Sequence, residues 1–166
     1  LMDALAIACR RAGVTVWEHT EVRKLLVQGG KVRGVATSRG NVQADVVVNC
    51  LGSWAAGLPK GLPRVVPAKG QMLSYDAPKR FLRHVMMSEE AYGVQRQSGE
   101  LIVGSTVEFV GFNKRLTLAG MRKILSGFGR MINPEALEQC AFRQSWVGLR
   151  PCSHDRKPIL GPARLK

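Results

Sequence analysis

Among the residues able to do chemistry, Arg150 is distinguished by its setting. It lies in Trp146-Val147-Gly148-Leu149-Arg150-Pro151, after a strand-like run from Cys140 to Val147. Asp155 and Lys157-Pro158-Ile159-Leu160-Gly161-Pro162 follow it. Proline disfavours the helical region for the residue before it, so Arg150 is expected in an extended or turn backbone at a strand end. A guanidinium fixed at one point can hold a carboxylate through two parallel hydrogen bonds. An arginine can also serve as half of an ion pair or as a solvated surface charge, and the residue pattern alone leaves both open. No metal grouping competes with it. Cys9, Cys50, Cys140 and Cys152 show no Cys-x-x-Cys spacing, and the three histidines are dispersed.

The elements that must position Arg150 can be read in chain order. Residues 2–12 have Leu5, Ala8, Cys9 and Ala12 at helical spacing, Arg10 and Arg11 at the negative end, and Gly13 as a stop. Strands are expected at Val14–Glu18, Glu21–Val27 and Val32–Thr37, with Gln28-Gly29-Gly30-Lys31 and Arg39-Gly40-Asn41 as turns. The apolar run Val46-Val47-Val48 reads as a strand buried on both faces, as in a parallel sheet. Gly52 follows it, with Ser53 a candidate N-cap. Glycine at such a strand end lets a main chain approach a phosphate, or simply makes a strand-to-helix turn.

Leu58-Pro59-Lys60-Gly61-Leu62-Pro63 reads as a linker. A strand-rich region then begins at Val65–Tyr75. Lys69 within it precedes a glycine and is taken as one more solvated lysine, outside any active site. Gln97-Ser98-Gly99-Glu100 turns a hairpin whose first strand carries Tyr92 and whose second ends at Val107. A polar connection from Glu108 to Arg115 leads to Thr117, which caps a helix reaching residue 132. Its stripe of Leu118, Met121, Ile124, Leu125 and Phe128 reads as core, and Asn133-Pro134 ends it.

The Gly148-Leu149-Arg150-Pro151 and Asp155…Lys157-Pro158-Ile159-Leu160-Gly161-Pro162 signature resembles that of the D-amino-acid oxidase superfamily of FAD flavoproteins, and within it the glycine oxidases of thiamine biosynthesis. Ala44-Asp45-Val46-Val47-Val48…Gly52 and Pro67-Ala68-Lys69-Gly70-Gln71 are similar to other parts of that family. The resemblance implies an α+β or α/β chain. It would comprise part of a two-dinucleotide-binding-type FAD domain (1–60), a mixed-sheet substrate domain (61–150) and a return to the FAD domain (151–166). It implies that Arg150 binds a substrate carboxylate, that Tyr92 and Val107 line the pocket, and that the main chains of Val22, Cys50, Leu51 and Gly52 contact FAD. The implied reaction oxidises the CH–NH2 or CH–NH group of a small amino acid to an imino acid, with hydrogen peroxide formed. No residue is assigned to acid–base catalysis.

No Gly-x-Gly-x-x-Gly unit occurs in the sequence. The expectation is therefore a fragment of an oxidase that does not retain FAD alone, joined by a complementing N-terminal half or by a second copy. A non-catalytic binding or interaction module is the alternative. Cys152 and Arg156 stand where the resemblance expects glycine, and Arg156 is awkward if its φ must be positive.

At 166 residues and 45% hydrophobic content, the chain can bury a real core. Twenty-five Lys and Arg against twelve Asp and Glu give +13. These charges are scattered without an interleaved aromatic platform, so a solvated or partner-facing surface is favoured over nucleic-acid binding. No apolar run is long enough to span a bilayer. Without a basic leader no signal peptide is expected. Cys9 and Cys50, in apolar runs, read as buried thiols, and the set suits a reducing cytoplasm.

Overall fold

The computed structural model describes residues 1–57 and 64–163; the expected linker Leu58–Pro63 lies outside them. Two compact units emerge. One contains Leu1–Asn49, and the other contains Cys50–Gly57 and the chain from Arg64 to Gly161. The architecture is α+β, with two antiparallel sheets.

In the first unit, helix α1 (Met2–Arg11) ends as its sequence dictates. Gly13 takes φ +79, and the N–H groups of Gly13 and Val14 donate to the carbonyls of Arg10 and Cys9, at 3.1 and 2.9 Å. Strands β1 (Val22–Gln28), β2 (Lys31–Thr37) and β3 (Gly40–Gln43) form a meander in the order β1-β2-β3. Its first turn needs positive φ at both Gly29 and Gly30, which have φ +57 and +72.

Three expectations fail in this region. Val14–Glu18 and Val46–Val48 form no strand, and Val46 and Val48 are 78% and 77% exposed. A strand requires a neighbour for its N–H and C=O groups, and among the described residues no named strand pairs with either run. Cys9 and Cys50, expected as buried thiols, are exposed; α1 buries none of its residues.

The second unit has a five-stranded sheet in the order β5-β6-β7-β4-β8. Its strands are β4 (Val65–Asp76), β5 (Met86–Met87), β6 (Tyr92–Gln95), β7 (Glu100–Gly104) and β8 (Ala141–Ser153). A short 3-10 helix, Gly52–Gly57, precedes it. Ser53 is not an N-cap there. Its buried hydroxyl donates to the Leu149 carbonyl at 3.2 Å, tying the turn to β8.

Helix α2 (Leu118–Gly129) is capped by Thr117, whose hydroxyl accepts from Gly120 N–H at 3.2 Å. It stops at Gly129, short of the expected residue 132. Asn133 then caps a separate short helix, α3 (Pro134–Leu137), through its side-chain oxygen and the N–H of Glu135. Ile124 and Phe128 of α2 pack with Leu73, Ala91, Leu101 and Val103 in the core. Leu118 and Leu125, expected in the same stripe, are exposed. Each large apolar side chain buried here contributes about 1.5–3 kcal/mol.

Pro151 does not end β8. The N–H groups of Lys69 and Gln71 point away from β8, to Glu108 O and Thr106 Oγ1, so by alternation the nitrogen of Pro67 also points away. Pro151 is paired with Pro67, and its nitrogen therefore faces the open edge of the sheet, where no donor is needed. Arg150 consequently sits inside a long edge strand, not at a strand end.

Candidate functional site

Antiparallel register puts directly paired residues on the same face of a sheet. Arg150 pairs with Ala68, Gly148 with Gly70, and Trp146 with Met72; Met72 pairs with Gly104, and Gly104 with Tyr92. One face of the second sheet thus carries Arg150 and Tyr92 together with the small residues Ala68, Gly70, Gly104 and Gly148. The opposite face carries Lys69, Gln71 and Leu73 of β4. Gln71 lies against Gly120, on the side taken by α2.

The Arg150 guanidinium lies directly over Gly70. A Cβ there would stand 2.5 Å from Nη1 and 2.8 Å from Cζ, so only glycine leaves room. Arg150 Nη2 donates to Ser105 Oγ at 2.6 Å, and Nη1 donates to the Thr106 carbonyl at 3.2 Å. These acceptors engage two of the five guanidinium N–H groups, leaving three for an anion. No acidic partner of Arg150 is found among the described residues, so the ion-pair reading does not apply to it.

Tyr92 is half-buried, and its hydroxyl donates weakly to Met72 Sδ at 3.4 Å. Its ring stands on the Arg150 face, where it can limit the size of a ligand. Val107 follows Thr106 and is exposed. The second hairpin strand stops at Gly104, so Val107 lies beyond it and not at its end. Val22 opens β1 in the first unit, paired with Thr37 and with its side chain exposed. Cys50, Leu51 and Gly52 belong to the second unit. Gly52 has φ +56 and nothing within 4 Å of the position a Cβ would take, so the main chain is open to a ligand there.

Lys69 overturns its expectation. Only 2% of it is exposed, and its Nζ lies 3.0 Å from Glu108 Oε2. Main-chain bonds join the same pair, Lys69 N–H to Glu108 O at 2.8 Å and Glu108 N–H to Lys69 O at 2.9 Å. Burial acts to raise the pKa of Glu108. Hydrogen bonds from Thr106, Gln71 and Lys69, with the charge of Lys69, outweigh it and hold the carboxyl below its usual range. Sequence reading missed Lys69, Gly70, Ser105, Thr106 and Glu108. The available signal was the alternation of Ala68, Gly70 and Met72 with Lys69, Gln71 and Leu73, but it becomes useful only once the register with β8 is known.

An apolar cavity of about 230 Å³ lies on the α2 side, lined in part by Tyr75, Leu101, Phe128 and Cys140. Burial raises the pKa of both Tyr75 and Cys140, which suits an unreactive thiol.

The family of FAD dependent oxidoreductases called DAO matches residues 1–166. The chain belongs to this family. It is 36% identical to a glycine oxidase of Pseudomonas aeruginosa over 154 residues, which cover 91% of this chain and 42% of the relative. It is 35% identical to the hydrogen cyanide synthase subunit HcnC of the same organism, over 98% of this chain and 40% of the relative. A crystal structure of glycine oxidase from Geobacillus kaustophilus superposes with a TM-score of 0.87 at 29% identity, covering 96% of this chain and 43% of that one. The chain therefore spans about 40% of the length of these curated relatives. Their different names leave the family established and the individual reaction to be argued from the site.

Proposed function

We propose that this chain is the substrate-holding part of an FAD-dependent oxidase. The substrate is a small amino acid such as glycine, oxidised at its CH–NH2 or CH–NH group. The observation that carries this reading is the exposed guanidinium of Arg150, seated over Gly70 with three N–H groups to spare and without an acidic partner among the described residues. Arg150 grips the substrate carboxylate and so fixes the α-carbon relative to the sheet, which is a positioning role. Tyr92, on the same face, restricts the side chain, and the exposed Val107 adds apolar surface. FAD, when bound, would supply the two-electron acceptor for oxidation of the CH–NH2 or CH–NH group to C=N, with oxygen as the final acceptor reduced to hydrogen peroxide.

The open space at Gly52 suits an FAD phosphate, and the main chains of Cys50, Leu51 and, for the adenine end, Val22 complete the proposed FAD contacts. The exposure of Val46 and Val48 supports a further segment that covers them, from a second chain or from more of this one.

The test is steady-state kinetics of the FAD-loaded protein containing this chain, with Arg150→Met. Truncating one partner of a charge-assisted pair removes about 2–5 kcal/mol, so KM for glycine should rise by roughly thirtyfold or more. An unchanged KM would overturn the assignment.

A further inference from the structure

We infer that the Lys69–Glu108–Thr106 chain on the α2 side of β4, with Lys69 and Thr106 buried and Glu108 partly exposed, is a positioning device for Arg150, acting through the main chain of Thr106. The inference rests on the carboxylate-binding reading of Arg150 given above.

Thr106 is the shared element. Its hydroxyl is buried and lies 2.5 Å from Glu108 Oε1, and it accepts from Gln71 N–H at 3.0 Å. Its carbonyl accepts from Arg150 Nη1 on the substrate side. One residue thus has its side chain tied to one face of β4 and its carbonyl offered on the other.

Glu108 is in turn fixed from three directions. Lys69 Nζ meets Oε2, while Gln71 Nε2 donates to Oε1 at 2.8 Å. Gln71 is anchored to the start of α2, where its Nε2 donates to Thr117 Oγ1 at 2.9 Å and its Oε1 accepts from Thr117 N–H at 2.9 Å. No rotation of the Ser105–Glu108 segment can leave all of these bonds intact. A network whose members Lys69, Gln71 and Thr106 are buried and hydrogen-bonded is rigid, and it gives this connection one conformation. Without it, Ser105 Oγ and Thr106 O would still be present but not held where Arg150 needs them.

The exposed ion pairs show why Lys69 is not merely another salt bridge. Arg10–Glu18 and Arg143–Asp76 are exposed at both ends. Such pairs contribute little and specify little. Burying Lys69 is unfavourable unless its partner is rigidly supplied, and here the partner is Glu108.

The experiment uses the FAD-loaded protein containing this chain and reads acetate binding by the change in the flavin absorption spectrum. Thr106→Val keeps the size of the side chain and the carbonyl but removes the hydroxyl. It should weaken acetate about tenfold, equivalent to ~1.4 kcal/mol. Methylamine, which has no carboxylate, should bind as to the parent, and Thr106→Ser should restore acetate binding. Combined with Arg150→Met, Thr106→Val should have no further effect on acetate. An additive effect in that double variant, or an equal loss for methylamine, would mean general loosening and overturn the inference. If Thr106→Val does not fold, Glu108→Gln reads the same network and should likewise weaken acetate selectively; unchanged acetate affinity overturns the inference. Wild-type acetate binding that is indifferent to Arg150→Met instead removes the carboxylate reading, and the inference with it.

Discussion

The two units contain similar kinds of sequence and put them to different use. In the second, Leu73, Leu101, Val103, Ile124 and Phe128 come from two strands and a helix and meet in one core. In the first, α1 buries no residue, and Leu5, Ile7, Val14, Val16 and Trp17 are all exposed. Apolar periodicity therefore marks surface that is fit to be covered. Whether it is covered depends on a partner element that the local sequence does not name.

The largest expected effect tests this contrast directly. Phe128→Ala should cost about 3–5 kcal/mol, as truncation of a buried aromatic does. Leu5→Ala, on an exposed helix face, should stay within about 0.5 kcal/mol. Urea unfolding with hydrogen exchange resolved by region would show both, because the protection lost should be confined to the second unit for Phe128→Ala. A comparable loss for Leu5→Ala would mean that α1 is covered in solution, and the contrast would fail.

Acid sharpens the same comparison. The folded pKa of Glu108 lies below its ordinary 4.5, since hydrogen bonds to its ionised form outweigh burial. A depressed carboxyl contributes stability that is present above the unfolded value and is lost as pH falls through the folded one. The advantage of wild type over Glu108→Gln should therefore be full at pH 7. It should shrink from about pH 4.5 downward and vanish once both states are protonated. Thermal midpoints of the two proteins across that range would show it. For Arg10–Glu18 in the first unit, exposed at both ends, Glu18→Gln should give almost no difference at any pH.

These cases also show what could be read from sequence. Turns and caps were legible because their cause is local. Gly29-Gly30 needs positive φ, Gly99 (φ +94) turns the hairpin, and Thr117 caps α2. The α+β class was legible too, through the family resemblance that motifs of adjacent residues carry. What remained hidden depends on register and partners. Pro151 inside a strand makes sense only when β8 is known to be an edge. Lys69 looked solvated because nothing near it in sequence reveals Glu108, thirty-nine positions away, as its partner. Strand β5, with two residues, and helix α3, with four, are too short for periodicity to announce them.

The smallest expected effect concerns Arg156, where the sequence foresaw a difficulty that the structure retains. Arg156 has φ +60, a left-handed conformation that a side chain with a Cβ adopts at a cost of roughly 1–2 kcal/mol. The turn around it holds that shape. Arg156 N–H donates to Ser153 O at 3.1 Å, Lys157 N–H to Asp155 Oδ1 at 3.1 Å, and Ser153 Oγ to Lys157 O at 2.7 Å. Arg156→Gly removes the steric penalty but adds freedom to the unfolded chain, which takes back roughly half of the gain. The net should be a stabilisation of about 0.5–1 kcal/mol, read as a higher urea midpoint with unchanged slope. Arg156→Ala separates this from the loss of a charge. It keeps the Cβ and the strain, so it should not stabilise. If alanine gained as much as glycine, the benefit would come from relieving the excess positive charge of the chain, and the backbone at Arg156 would be carrying no penalty.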